Sequence, residues 1–136
     1  MDLKEFVCFA LYSTSRSMTQ LYRHYLEKYD LTYPQFITLF SLWKQDGLTV
    51  REIAETVLLD GGTMTPILKR LESKGLVSRV RTAEDERVVQ IFLTEKGAKL
   101  EGMLEEVAGG LLCDIEMSPE EVDVMAKSLH QLRSTI

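Results

Sequence analysis

Cysteine, histidine and proline are scarce in this chain of 136 residues, with two, two and three copies, and there is a single tryptophan. Cys8 and Cys113 are too few for the disulfide framework of a small secreted domain, and in a reducing compartment they read as thiols. His24 and His130 stand alone, without metal-ligand spacing, so both read as surface or packing residues and neither a metal nor another cofactor is expected. No apolar run approaches a membrane span, and the first residues carry no basic region followed by an apolar segment. The expectation is a cytoplasmic protein with no membrane partner. The length suits one domain and is small for a two-lobed enzyme.

A net charge of −5 argues at first against a nucleic-acid partner. The charges are segregated, however. Between Thr63 and Lys99 there are eight Lys or Arg against five acids, while the rest of the chain is acidic. A local positive patch on an acidic chain is the footprint of a localised anion reader, and its modest size calls for two half-sites and a dimer.

The stretch from Leu48 to Leu93 organises the chain. Thr49-Val50-Arg51-Glu52 fits a capping box, followed by Ile53, Ala54, Val57 and Leu58 at helical spacing. Leu59-Asp60-Gly61-Gly62 breaks that pattern, with paired glycines supplying the freedom for a turn. The next helix is expected from about Gly62 to Lys74, with Pro66 in or near its first turn and Gly75 as its stop. Met64, Ile67, Leu68 and Leu71 fall on one face of it; Gly62, Thr63, Pro66, Lys69, Arg70 and Ser73 fall on the other. Small residues at the front of the free face let it approach a major groove, hydroxyls can donate to phosphates or base edges, and Lys69 and Arg70 add charge. Leu76 to Arg81 and Arg87 to Leu93 then read as an antiparallel hairpin with a polar tip. Arg79, Arg81 and Arg87 flank that tip, suited to a narrow minor groove, with Asp85 placed to brace a guanidinium. Candidate DNA contacts are thus Gly62, Thr63, Thr65, Pro66, Lys69 and Arg70 on the helix, and Arg79, Arg81, Asp85 and Arg87 on the wing.

Helices flank this reader on both sides. From about Lys4 to Tyr29 apolar residues recur as one long amphipathic helix, and Thr32-Tyr33-Pro34-Gln35 opens a second, largely buried one. Thr94 can cap a helix through Leu112, weakened near its end by Gly109-Gly110. Ser118-Pro119-Glu120-Glu121 starts a last helix whose Val122, Met125, Leu129 and Leu132 form a seam for a partner helix. The fold class is mainly α with a small β-hairpin wing: a winged helix-turn-helix over 34–94 plus dimerisation helices over 1–33 and 95–136, forming one domain over 1–136.

Leu59 to Glu72, followed by Gly75-Leu76-Val77 and Asp85-Glu86-Arg87, resembles the MarR family of bacterial winged-helix regulators. Leu3 to Tyr33 is similar to its branch of organic-hydroperoxide-sensing repressors, OhrR, although Gly61 stands where that branch usually has a serine able to touch phosphate. The resemblance implies a homodimeric repressor of double-stranded operator DNA that responds to an organic hydroperoxide. An apolar-flanked cysteine alone reads as an inert core thiol. Cys8 lies near a helix N-terminus, one turn after Lys4, where a thiolate is favoured. In the resembled branch the residues at Tyr22 and Tyr33 supply phenolic hydroxyls to the reactive cysteine across the dimer, and Tyr12 lies one turn from Cys8 on the same face. By that carry-over Cys8 is the peroxide-reactive residue and Cys113 the resolving thiol of a two-cysteine type. Two other readings stay open: a MarR-type regulator released by a small phenolic or aromatic acid in an apolar crevice, and a thiol peroxidase.

Overall fold

The computed structural model describes Asp2 and residues 5–136. Lys4, placed one turn before Cys8 by the sequence reading, lies outside the described residues. Helix α1 runs Val7–Leu26 and tightens into a 3₁₀ turn over Glu27–Tyr29; α2 spans Tyr33–Lys44. Strand β1 (Leu48–Thr49) leads into α3 (Val50–Val57) and α4 (Gly61–Ser73), and β2 (Val77–Arg81) and β3 (Val89–Leu93) form the wing. Helices α5 (Glu95–Lys99), α6 (Met103–Asp114) and α7 (Pro119–Ser134) follow.

Local chemistry accounts for these boundaries. The capping boxes at Thr32/Gln35, Thr49/Glu52 and Ser118/Glu121 all form, each satisfying two amides at a helix start. Thr94 caps α5 through the Gly97 amide at 3.1 Å. At the end of α4 the Leu76 amide reaches Leu71 O and the Gly75 amide reaches Glu72 O, with Gly75 at φ 71°. That is a Schellman stop, which favours glycine at the left-handed position.

Four expectations change. The turn between α3 and α4 is made by Leu58 at φ 60°, not by Gly61 or Gly62, which already belong to α4. Pro66 is the sixth residue of α4, so its missing amide leaves the Gly62 carbonyl without its helical donor. The sheet has three strands, ordered β1-β3-β2, because Leu48 and Thr49 pair with Ile91 and Gln90. The helix expected from Thr94 through Leu112 is interrupted by a 3₁₀ turn at Leu100–Gly102, between two close contacts at Gly97 and Gly110. The helix does not stop at Leu112 after Gly109-Gly110; α6 continues to Asp114.

The core lies where α2, α3 and α4 meet the sheet. Leu39, Leu42, Ile53, Met64, Leu68, Leu71 and Ile91 are fully buried, which holds the reading helix rigidly against the scaffold. A second layer joins α1 to α6 through Leu26, Val107 and Leu111. No residue of α7 is buried, and Val124, Met125, Leu129 and Leu132 are exposed.

Gly97 seats α5 against the first of these layers. Trp43 Nε1–H donates to Gly97 O at 2.9 Å, and a Cβ on Gly97 would stand 2.0 Å from Leu76 O. Nothing lies within 4 Å of a Cβ on Gly61. Gly97→Ala should therefore lower stability by about 2 kcal/mol or more, whereas Gly61→Ala should hold or raise it by restricting the unfolded chain. Thermal unfolding of both variants by circular dichroism checks this, and equal melting temperatures would contradict it.

Candidate functional site

Asp60 builds the front of α4. With extended backbone as N-cap, its Oδ1 accepts the Thr63 amide at 2.7 Å and its Oδ2 accepts the Thr63 hydroxyl at 3.0 Å. Those bonds, the backbone one first, hold the Asp60 carboxyl below its ordinary value of 3.8. The Thr65 hydroxyl donates to Gly61 O at 3.0 Å. In the chain without DNA both threonine hydroxyls are engaged inside the chain, and both residues remain exposed, so either hydroxyl can turn outward to a phosphate.

The faces of α4 divide as its periodicity requires. Met64, Leu68 and Leu71 are buried and Ile67 is half-buried, while Gly62, Thr63, Thr65, Pro66, Lys69, Arg70 and Ser73 are exposed. Lys69 and Arg70 make no ion pair among the described residues. Lys74 is drawn inward instead: its ammonium donates to Asp30 O and, at 3.0 Å, to Gln35 Oε1. It anchors the end of α4 to the corner between α1 and α2.

The wing is a braced ribbon with two exposed cations, Arg81 and Arg87. Asp85 Oδ1 accepts from Arg87 Nε at 3.2 Å and from the Arg87 amide at 3.0 Å, as the brace requires. Arg81 Nη1 donates to Glu86 O at 2.9 Å across the tip, and both guanidinium-bearing residues are exposed. Arg79 departs from the expectation. It pairs with Ile91 in mid-ladder, its Nε lies 3.4 Å from Glu72 Oε2 of α4, and its Nε and Nη2 are buried with no hydrogen-bond partner among the described residues. Arg79 locks the wing to the helix and is not free at the tip. Between α3, the start of α4 and the wing runs a groove of about 1010 Å³, flanked by Arg51 and Arg87.

The thiols stand at opposite ends of α1. Cys8 is the second residue of the helix, where Phe6 provides no side-chain cap, and it is exposed in the chain, unlike a core thiol. Tyr12 shares its face and its hydroxyl accepts from Arg16 Nη1 at 3.3 Å. At the other end Tyr22 and Tyr33 stack with ring centroids 4.7 Å apart, and burial, then the neighbouring Tyr33, raises the Tyr22 phenol above its ordinary value. One turn on, the Tyr25 hydroxyl donates to Asp114, within electrostatic range of exposed Cys113.

Distance then decides what one subunit can do. Cys8 and Tyr25 lie seventeen residues apart on one continuous helix, which is about 25 Å of rise. Cys113 sits beside Tyr25, so the two sulfurs of one chain are separated by on the order of 20 Å, well beyond the roughly 7 Å Cα separation a disulfide tolerates. Tyr22 and Tyr33 are likewise out of reach of their own Cys8. Between α1, the start of α2 and α4 lies a crevice of about 640 Å³, with Leu31, Tyr33 and Pro34 in its walls and both cations (Arg23, Arg70, Lys74) and acids (Glu27, Asp30) around it.

Residues 20–103, from within α1 to the first residue of α6, match the family described as Transcriptional regulator SarA/Rot. The chain belongs to the SarA/Rot family of MarR-like regulators. Over all 136 residues, and 92% of the other protein, it is 42% identical to the organic hydroperoxide resistance transcriptional regulator of Bacillus subtilis (strain 168). Its fold superposes on reduced AbfR of Staphylococcus epidermidis bound to DNA with a TM-score of 0.84 at 32% identity, covering 95% of this chain and 88% of that one. Against disulfide-formed AbfR the TM-score is 0.68, again at 32% identity, covering 93% and 88%. As a SarA/Rot-family regulator the chain is not an enzyme, and the thiol peroxidase alternative falls.

Sequence reasoning on this SarA/Rot-family chain overlooked three contributors: Asp60, Leu58 and Tyr25. Asp60 carried a legible signal, an N-cap residue directly before the glycines. Its carboxyl is held low in the folded chain, so its stabilisation is present above about pH 4 and lost as pH falls through the lowered value. Asp60→Asn keeps a cap without the charge. Urea unfolding should show a shallower loss of stability between pH 4 and pH 2 in this variant, with the remaining slope supplied partly by Glu106, which Lys28 and Tyr29 hold low. An unchanged slope would contradict the assignment.

Proposed function

We propose that this chain is a redox-sensing transcriptional repressor that binds operator DNA as a reduced homodimer and dissociates when an organic hydroperoxide oxidises Cys8. Residues 34–94 form the reader and residues 1–33 and 95–136 pair the subunits, in the cytoplasm. The α4 face from Gly62 to Arg70 enters the major groove, while Arg81 and the Asp85-braced Arg87 reach the adjacent minor groove. Arg79 acts indirectly, by holding the wing to α4.

The observation that carries this reading is the separation of the sulfur chemistry along α1. Cys8 and Tyr12 occupy one end; Tyr22, Tyr33, Tyr25 and Cys113 occupy the other, out of reach within one subunit. Antiparallel pairing of two α1 helices places each Cys8 at the tyrosine end of its partner, where phenols directed at sulfur favour its ionised form. The exposed Phe6 just before α1, Val7 and Leu11 of α1, and the exposed seam on α7 supply apolar surface for that pairing. The similarity to DNA-bound AbfR, greater than that to its disulfide form, supports a chain already arranged for DNA.

Oxidation proceeds in two balanced steps. The Cys8 thiolate attacks a hydroperoxide oxygen: an S–O bond forms, the O–O bond breaks, the hydroperoxide is reduced to an alcohol that takes up a proton, and Cys8 becomes a sulfenic acid. The partner's Cys113 thiol then attacks that sulfur, forming the S–S bond and releasing water. Bridging moves the helices that hold the two readers, spoils the half-site spacing and releases DNA.

Gel-shift assays with Cys8→Ser test the reading. The variant should bind operator DNA as wild type does and stay bound when an organic hydroperoxide is added. Release as ready as that of wild type would remove Cys8 as the sensor.

A further inference from the structure

The contact between Tyr25 and α6 has no part in the reading above. The Tyr25 ring fills a notch left by Gly110: a Cβ there would stand 2.2 Å from Tyr25 Cε1 and 2.6 Å from Cζ. Its hydroxyl donates to Asp114. Gly110, Cys113 and Asp114 stand at i, i+3 and i+4 on α6, so all three share the helix face against which Tyr25 lies. One turn earlier on α6, Glu106 receives the Tyr29 hydroxyl at 2.5 Å and pairs with Lys28. The two helices are therefore fastened at Glu106, through 3₁₀-turn residues just after α1, and at Asp114. Only the second fastening touches the turn that carries Cys113.

We propose that Tyr25 is a positioning residue for Cys113: seated in the Gly110 notch and held by Asp114, it fixes the last turn of α6 to α1 in the reduced protein and must let go before Cys113 bridges. The proposal rests on the two-step oxidation described above. The first step, at Cys8, draws on the phenols of Tyr22 and Tyr33 across the dimer and involves no atom of this latch, because the Tyr25 hydroxyl is turned to Asp114. The second step draws the Cys113 sulfur from beside Tyr25 to the partner's Cys8 and breaks the phenol–carboxylate hydrogen bond. The latch thus acts on the commitment from a sulfenic acid, which thiols can reverse, to a bridged dimer.

Tyr25→Phe keeps the ring in its notch and removes only the hydroxyl. After a pulse of cumene hydroperoxide, samples are quenched with a sulfenic-acid trap and a thiol alkylator and followed by mass spectrometry. Sulfenic acid at Cys8 should form at the wild-type rate. The interchain disulfide should then form roughly two- to tenfold faster, the range given by losing one exposed hydrogen bond. Asp114→Asn, which retains a weaker acceptor, should fall between Tyr25→Phe and wild type, an ordering that general loosening of the fold does not produce. A bridging rate unchanged or slowed in Tyr25→Phe, with the first step intact, would overturn the latch alone. A wild-type protein that forms sulfenic acid and no interchain disulfide would overturn the latch together with the bridging step.

Discussion

Helix α1 keeps one side chain from reaching another. Twenty residues of unbroken helix place Cys8 at one end and the tyrosines with Cys113 at the other, and no rotamer spans that gap. In the proposed dimer, any sulfur chemistry that joins the two ends has to pass between subunits. That requirement would couple oxidation to quaternary arrangement, because the helices that carry the sulfurs also carry the readers. It also explains the surface left open: α7 buries none of its residues within the chain.

The reader itself is built to be stiff. Its helix is capped by Asp60, stopped by Gly75, fastened at its base by Lys74 to the corner of α1 and α2, and joined to the wing through Glu72 and Arg79. A displacement of α1 is then passed to α4 and the wing as a body, which is what loss of half-site spacing requires. The exposed cations that remain are Lys69 and Arg70, which make no ion pair among the described residues, and the tip residues Arg81 and Arg87, of which Arg87 is braced by Asp85 and still exposed.

Much of this was legible in the sequence where local physics decides. Capping boxes at Thr32, Thr49 and Ser118, the buried stripe of α4, the Gly75 stop and the Asp85–Arg87 brace all follow from spacing and side-chain chemistry. Tertiary contacts decided the rest. A leucine at position 58 carries the left-handed turn that glycines were expected to supply, because the glycines are taken up by the helix that Asp60 caps. Gly110 looked like a weak point in α6 and proves to be the seat of Tyr25. Arg79 read as a tip cation, and only the strand register shows it turned toward Glu72. Pairing of β1 with β3 is likewise a long-range event that two residues cannot signal.

The central claim, that the sulfur at one end of α1 meets only the partner's other end, is tested most directly by mixing subunits. Cys8→Ser and Cys113→Ser chains, co-expressed with distinguishable tags and treated with an organic hydroperoxide, should give one interchain disulfide in the mixed dimer and none in either pure dimer. Absence of a bridge in the mixed dimer, together with wild-type protein that runs as a monomer bearing an internal Cys8–Cys113 disulfide, would contradict it.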